Sequence, residues 1–244
     1  MRKVALVLAL LALCAGSASA RRQQQITVFA AASLTDAFPK LDRAQRYSFA
    51  GSNALATQIR NGAPADVFAS ANTDLPAQLH AQGFVDKPVN FTRNALVVVV
   101  PKSNPAGIRS VFDLTKDGVK IDVANAAVPV GAYTLQVLKN MNLTEKVQAN
   151  VVSQETDVRE VLSKVALGQA DAGFVYATDA RSVAGKVTVL RLPAWAQPKV
   201  TYALAVVSRS PNKAAAQAFV RRVLSKVGQA QLARYGFLPL PKKR

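Results

Sequence analysis

Residues 95–103 read ALVVVVPKS, and residues 200–208 read VTYALAVVS. Both runs are long, apolar and rich in β-branched residues, the composition of extended strands. Around them, short apolar runs alternate with longer amphipathic ones, the pattern of βα units on a mostly parallel sheet. If the chain before the first run and after the second builds one lobe, and the chain between them builds the other, the two runs are crossovers between two α/β lobes. Such an arrangement encloses a cleft. The expected division is residues 21–101 with 204–244 as lobe I and residues 102–203 as lobe II.

The other expected strands are Ile26 to Phe29, Arg46 to Phe49, Val67 to Ser70, Lys120 to Val123 and Ala172 to Tyr176. Apolar residues at three-to-four spacing predict helices over Thr35 to Asp42, Ala54 to Asn61, Asp74 to Gln82, Gly131 to Met141, Val158 to Gly168 and Lys213 to Leu224.

The 244 residues are half hydrophobic, ample for a buried core in one or two domains. The first twenty, MRKVALVLALLALCAGSASA, combine Arg2 and Lys3, an apolar run and an Ala18-Ser19-Ala20 cleavage site. They read as a secretory signal removed after Ala20, which places the mature chain in the periplasm or outside the cell. No later stretch approaches the length of a membrane span. The lone Cys14 lies inside the signal, so the mature chain has no thiol for a disulfide or a metal site. Lipidation at Cys14 is the minor reading, since Leu13 is larger than the small residue that usually precedes a lipidated cysteine.

The formal charge of +17 becomes +15 once Arg2 and Lys3 leave with the signal. A field of that sign draws anions but locates no site. Nucleic-acid binding would call for basic residues interleaved with aromatics, and the tail Lys242-Lys243-Arg244 has none near it.

Five strand-to-helix junctions carry the chemistry. In 26-ITVFAAASLTDAF-38 a strand gives way to three alanines and Ser33, leaving the backbone accessible where a helix begins. In 49-FAGSNALATQI-59 the design recurs, with Gly51 permitting close approach and Ser52 offering a hydroxyl beside a free N–H. In 127-AVPVGAYTLQVL-138, Val130 can contribute only its N–H, while 156-TDVREVL-162 opens another helix, with Asp157 reading as a cap or an Arg159 partner. The strand in 170-ADAGFVYATDA-180 ends on Tyr176, whose phenol either donates to an anion or packs in the core. Taken singly, each junction is also what an ordinary capped helix looks like.

Taken together and in order, FAAASL, FAGSNALATQI-NGAPADVFASA, VPVGAYT, TDVR, AGFVYATDA and the ending RYGF closely resemble the periplasmic molybdate-binding proteins of ABC transporters. The resemblance spans the mature chain. It implies the α/β class II periplasmic-binding-protein fold, two lobes joined by two extended strands and closing on one tetrahedral oxyanion. It also implies a membrane permease as partner, a monomeric state, no cofactor, and molybdenum bound only as molybdate, with tungstate as an equivalent ligand. Carried over position by position, it assigns seven donors: the hydroxyls and N–H groups of Ser33 and Ser52, the N–H groups of Val130 and Val158, and the phenol of Tyr176. Three places depart from the family pattern. Val130 stands where Ala is common, Gly51-Ser52-Asn53 replaces a serine-rich run, and Ala54 stands where a hydroxyl or glycine is common, so the resemblance does not fix the pocket size.

Other classes remain in view. A hydrolase needs a base, yet the single histidine, His80, reads as a surface residue, and no G-x-S-x-G elbow occurs. Asp66 reads as a capping or paired loop carboxylate rather than a base. The same fold would also take sulfate, phosphate, an organic anion or an iron carrier's load, although only Tyr176 matches what iron carriers use.

Overall fold

A computed structural model describes residues 24–241. The expected signal, Cys14 and the Lys242–Arg244 tail lie outside them. Ten strands are present among the described residues: β1 (Thr27–Ala31), β2 (Arg46–Ala50), β3 (Val67–Ser70), β4 (Val89–Arg93), β5 (Leu96–Pro101), β6 (Ile121–Ala124), β7 (Val151–Glu155), β8 (Ala172–Tyr176), β9 (Val187–Arg191) and β10 (Thr201–Val206). They form two five-stranded sheets, ordered β2-β1-β3-β10-β4 and β7-β6-β8-β5-β9. Each sheet has a parallel trio, with β1 between β2 and β3 in one and β6 between β7 and β8 in the other. A fourth strand runs antiparallel to the trio in each, β10 beside β3 and β5 beside β8.

The helices are α1 (Phe38–Leu41), α2 (Ser52–Arg60), α3 (Asp74–Ala81), α4 (Pro129–Asn140), α5 (Thr144–Gln148), α6 (Val158–Ala166), α7 (Ala177–Ser182), α8 (Lys213–Leu224) and α9 (Lys226–Arg234). Alternation along β1 shows how both faces of the first sheet are used. Val28 and Ala30 enter the main core, while Phe29 points to the opposite face and packs with Leu55, Ile59, Phe68 and Leu79 from α2, β3 and α3. In the second sheet β5 lies between β8 and β9, so all four of its consecutive valines are buried.

The expected lobe boundary shifts. Leu96–Pro101 pairs with β8 and β9, so β5 belongs to the second lobe, and Thr201–Val206 pairs with β3 and β4, so β10 lies wholly in the first. The chain therefore changes lobes at Asn94-Ala95 and along the connection from Leu192 to Val200, rather than within the apolar runs. The reason is physical: a continuous apolar strand is stabilised inside a sheet by its ladder hydrogen bonds, so the crossings fall to the short segments that join neither sheet, one of them interrupted by Pro193 and Pro198.

The helix expected over Thr35 to Asp42 is also revised. A 3-10 turn at Ala32–Leu34 precedes a short α1 whose second residue is Pro39. Proline has no N–H to give an earlier turn, so the helix can begin only immediately before it. Strands β4, β7 and β9 escaped the sequence reading. All three are sheet edges; β7 and β9 alternate exposed with more buried residues, and β4 opens on two exposed residues, which dilutes the apolar signal.

Within the second lobe, Asp122 of β6 is fully buried with neither carboxylate oxygen hydrogen-bonded. Burial, followed by the nearby charge of Glu155, pushes its pKa up to about 7. An acid with a raised pKa binds more protons folded than unfolded, so its contribution to stability declines as pH rises from the ordinary carboxylate range toward 7. Asp122→Asn, an amide in place of the protonated acid, should flatten the melting temperature of the ligand-free chain between pH 5 and pH 8. Parallel pH profiles for variant and wild type would refute this.

Candidate functional site

The site is built at the first turns of helices. Ser52 is the first residue of α2, Val130 the second of α4 and Val158 the first of α6, while Ser33 is the middle residue of the 3-10 turn. N–H groups at such positions have no acceptor within their own helix. Pro129, just before Val130, has none to offer and a φ already suited to a helix start.

One small cavity between the lobes is lined by Ser33, Ser52, Val130, Val158 and Tyr176. The structure thus brings all five sequence-assigned residues together. The space is tight, about 10 Å³ for the centre of a water-sized sphere. Its walls carry no Lys or Arg, and the backbone shows through the small side chains of Ala31, Ala32, Ala50, Gly51 and Ala71.

Ser33 and Ser52 are buried, with internal partners as well as cavity exposure. The Ser33 hydroxyl lies 2.8 Å from the Tyr202 phenol oxygen, and Ser52 Oγ accepts from the Ala71 N–H at 3.1 Å. Tyr176 is 1% exposed and its hydroxyl has no hydrogen-bond partner, so it is a buried donor facing the cavity. Burial lifts its pKa well above the ordinary value of 10, and the phenol keeps its proton at any physiological pH. Val130 is buried at the cavity wall, with its N–H held at the second position of α4.

Asp157, read from sequence as a cap or an Arg159 partner, is the cap. Its carboxylate accepts from the Arg159 and Glu160 N–H groups at 2.7 and 3.2 Å. Glu160 accepts from the N–H and hydroxyl of Thr156, the residue before the cap, at 2.8 and 2.7 Å. The free N–H of Val158 is left beside the cavity, and the one acidic side chain in the lining is engaged with its own helix. Asp66, likewise, is structural: it accepts from the Thr27 N–H, Ser210 and Asn212 at 2.7, 2.5 and 3.1 Å. His80 lies exposed on α3 with Nδ1 3.0 Å from the Val85 carbonyl.

Tyr202 is the residue the sequence reading missed. It is fully buried on β10, bonded to Ser33 and to Asn94 Nδ2 at 3.3 Å, and Asn94 in turn donates to Thr178 at 2.9 Å. Its ring meets those of Phe91, Phe237 and Tyr176 at centroid distances of 6.1, 5.6 and 5.8 Å. Tyr202 therefore supports a donor from each lobe, Ser33 through its hydroxyl and Tyr176 through its ring. The only sequence hint was a tyrosine in an otherwise aliphatic strand.

The lobes touch beside this cavity. A Cβ built on Gly51 would sit 2.4 Å from the Thr156 carbonyl oxygen of the opposite lobe. Arg159 forms an ion pair across the cleft with Asp36, and its Nε lies 2.9 Å from Asp179 within its own lobe. Burial pushes the Asp179 carboxyl up to about 7, against the pull of the Arg159 charge.

Comparison with known proteins places the chain in a family. Residues 26–238 match the family of bacterial extracellular solute-binding proteins. The molybdate-binding protein ModA of Mycobacterium tuberculosis is 41% identical over 88% of this chain and 84% of its own, and ModA of Escherichia coli is 33% identical over 87% and 88%. Among solved structures, the periplasmic molybdate-binding protein of Azotobacter vinelandii superposes with a TM-score of 0.78 at 25% identity, covering 89% of this chain and all of that one. With two lobes closing on a cavity of helix-terminal donors, this chain belongs to the bacterial extracellular solute-binding proteins and, within them, to the ModA family.

Proposed function

We propose that the chain captures molybdate, and tungstate equally, in the interlobe cavity and presents it to an ABC-transporter permease, acting as an exported monomer without a cofactor and catalysing no reaction. The observation that carries this reading is a cavity walled by helix starts and hydroxyls with no cationic side chain. Neutral donors at low dielectric hold a dianion through aligned dipoles and offer nothing to a ligand that brings no charge. The ligand-binding residues are Ser33, Ser52, Val130, Val158 and Tyr176.

The magnitudes are adequate. Seven bonds to charged oxygens supply on the order of 10 to 20 kcal/mol, against about 4 to 15 kcal/mol for association and ordering. The basic surface acts outside the cavity, raising the arrival rate of anions at low salt. The small volume of the cavity favours sulfate, of the same shape and charge but smaller, as the second reading. Calorimetric titration with molybdate, tungstate, sulfate and phosphate at two salt concentrations decides between them. Tight, weakly salt-dependent uptake of the first two alone supports the proposal; sulfate preference replaces the ligand, and no uptake removes the reading.

Ser33→Ala and Ser52→Ala should each weaken binding by about 1 to 3 kcal/mol. They should differ in stability. Ser52→Ala leaves the buried Ala71 N–H without its acceptor and adds a folding cost of about 1 to 3 kcal/mol, whereas Ser33→Ala leaves Tyr202 with Asn94. Wild-type affinity in both variants would show that the donors are elsewhere, and calorimetry with thermal melts reads both quantities.

A further inference from the structure

We infer that Arg159 is a positioning residue for ligand retention, the second-lobe half of an ionic latch whose first-lobe half is Asp36. This rests on the oxyanion reading of the cavity. Each end of the latch sits close to a donor of its own lobe. Asp36 follows Ser33 by three positions, and Arg159 directly follows Val158. The two side chains meet only across the closed cleft, so their attraction favours the closed state and cannot contribute once the lobes separate.

Arg159 is held ready for this contact. Its Nε faces the fully buried Asp179, and Nη1 donates to Ser182 at 3.0 Å, leaving Nη2 directed at Asp36. The guanidinium has three separate directions of contact, which a lysine ammonium on a flexible stem cannot reproduce. Asp36, with 41% of its side chain exposed, is the solvent-facing end. It opens onto a cleft of about 470 Å³ at the lobe boundary, lined also by Lys40, Arg181, Ser182 and Arg234. Salt therefore reaches the pair, whereas the donor cavity is too small to admit hydrated ions. The latch acts on dissociation rather than on encounter, because the lobes are apart when the ligand arrives.

The test uses Asp36→Asn, which keeps size and removes charge at a half-exposed position outside the cavity lining. Stopped-flow displacement of bound molybdate should show dissociation about 3- to 10-fold faster in Asp36→Asn, with the association rate unchanged. Raising salt from 50 mM to 1 M should accelerate dissociation from wild type toward the Asp36→Asn rate and leave the variant nearly flat. Asp36→Glu should restore slow dissociation, and the ligand-free melting temperature should be the same in all three chains. Wild-type dissociation rates in Asp36→Asn, or identical salt responses, overturn the latch while leaving the oxyanion reading intact. Failure of the wild-type chain to bind any of the four oxyanions overturns both.

Discussion

Gly51→Ala should weaken oxyanion binding by about 10- to 100-fold while leaving the melting temperature of the ligand-free chain unchanged. The added methyl would lie 2.4 Å from the Thr156 carbonyl oxygen, which belongs to the other lobe. Gly51 itself has φ −56° and ψ 135°, a conformation any residue adopts, so no backbone strain arises within its own lobe. The other near atom, Asn53 Oδ1 at 2.8 Å, is the end of a side chain and can turn away. The clash thus exists only when the lobes close. Overpacking of a close contact costs about 1 to 3 kcal/mol, and here the whole cost falls on the bound state. Calorimetry and a thermal melt on the same sample check it; wild-type affinity would mean that Gly51 and Thr156 do not approach in the bound form.

Gly131→Ala is expected to do the opposite, damaging the fold first. Its Cβ would stand 2.1 Å from the Asn125 carbonyl oxygen and 2.5 Å from that of Ala124, both in the same lobe and both backbone. No domain motion relieves that contact. The start of α4 must move away from the end of β6, at a cost of about 2 to 4 kcal/mol, lowering the melting temperature by roughly 5 to 15 °C. Because Val130 precedes Gly131, its N–H moves with the helix, and molybdate affinity should fall as well. A wild-type melting temperature would show that the helix start has room the geometry denies it. Gly51 and Gly131 receive the same methyl group, yet one substitution is read as lost closure and the other as lost stability.

Much of this was visible in the residues because it depends on local chemistry. The starts of α2, α4 and α6 lie within two residues of the junctions predicted from Gly51-Ser52, Pro129-Val130 and Asp157-Val158. Capping, the missing N–H of proline and the small side chains beside a strand end act over a few residues, so they are legible over a few residues. The apolar runs at 95–103 and 200–208 showed that two strands differ in kind from the rest. They did not show which sheet each would join.

What could be read from the sequence itself was local: the helix starts near Ser52, Val130 and Val158, the small side chains beside the first two, and the absence of Lys or Arg at those positions. What only the tertiary structure decided was everything that depends on residues far apart in the chain. Tyr202 lies 169 positions from the Ser33 it supports. Arg159 meets Asp36 across 123 positions. Asp122 acquires its raised pKa from burial on an interior strand of the second sheet and from Glu155, 33 positions away. The reason is that local conformation is governed by each residue's own sterics and nearest hydrogen bonds. Burial, cross-lobe clashes and ion pairs instead exist only once distant segments have been packed together, and it is those long-range contacts that turn a list of donors into a cavity able to close.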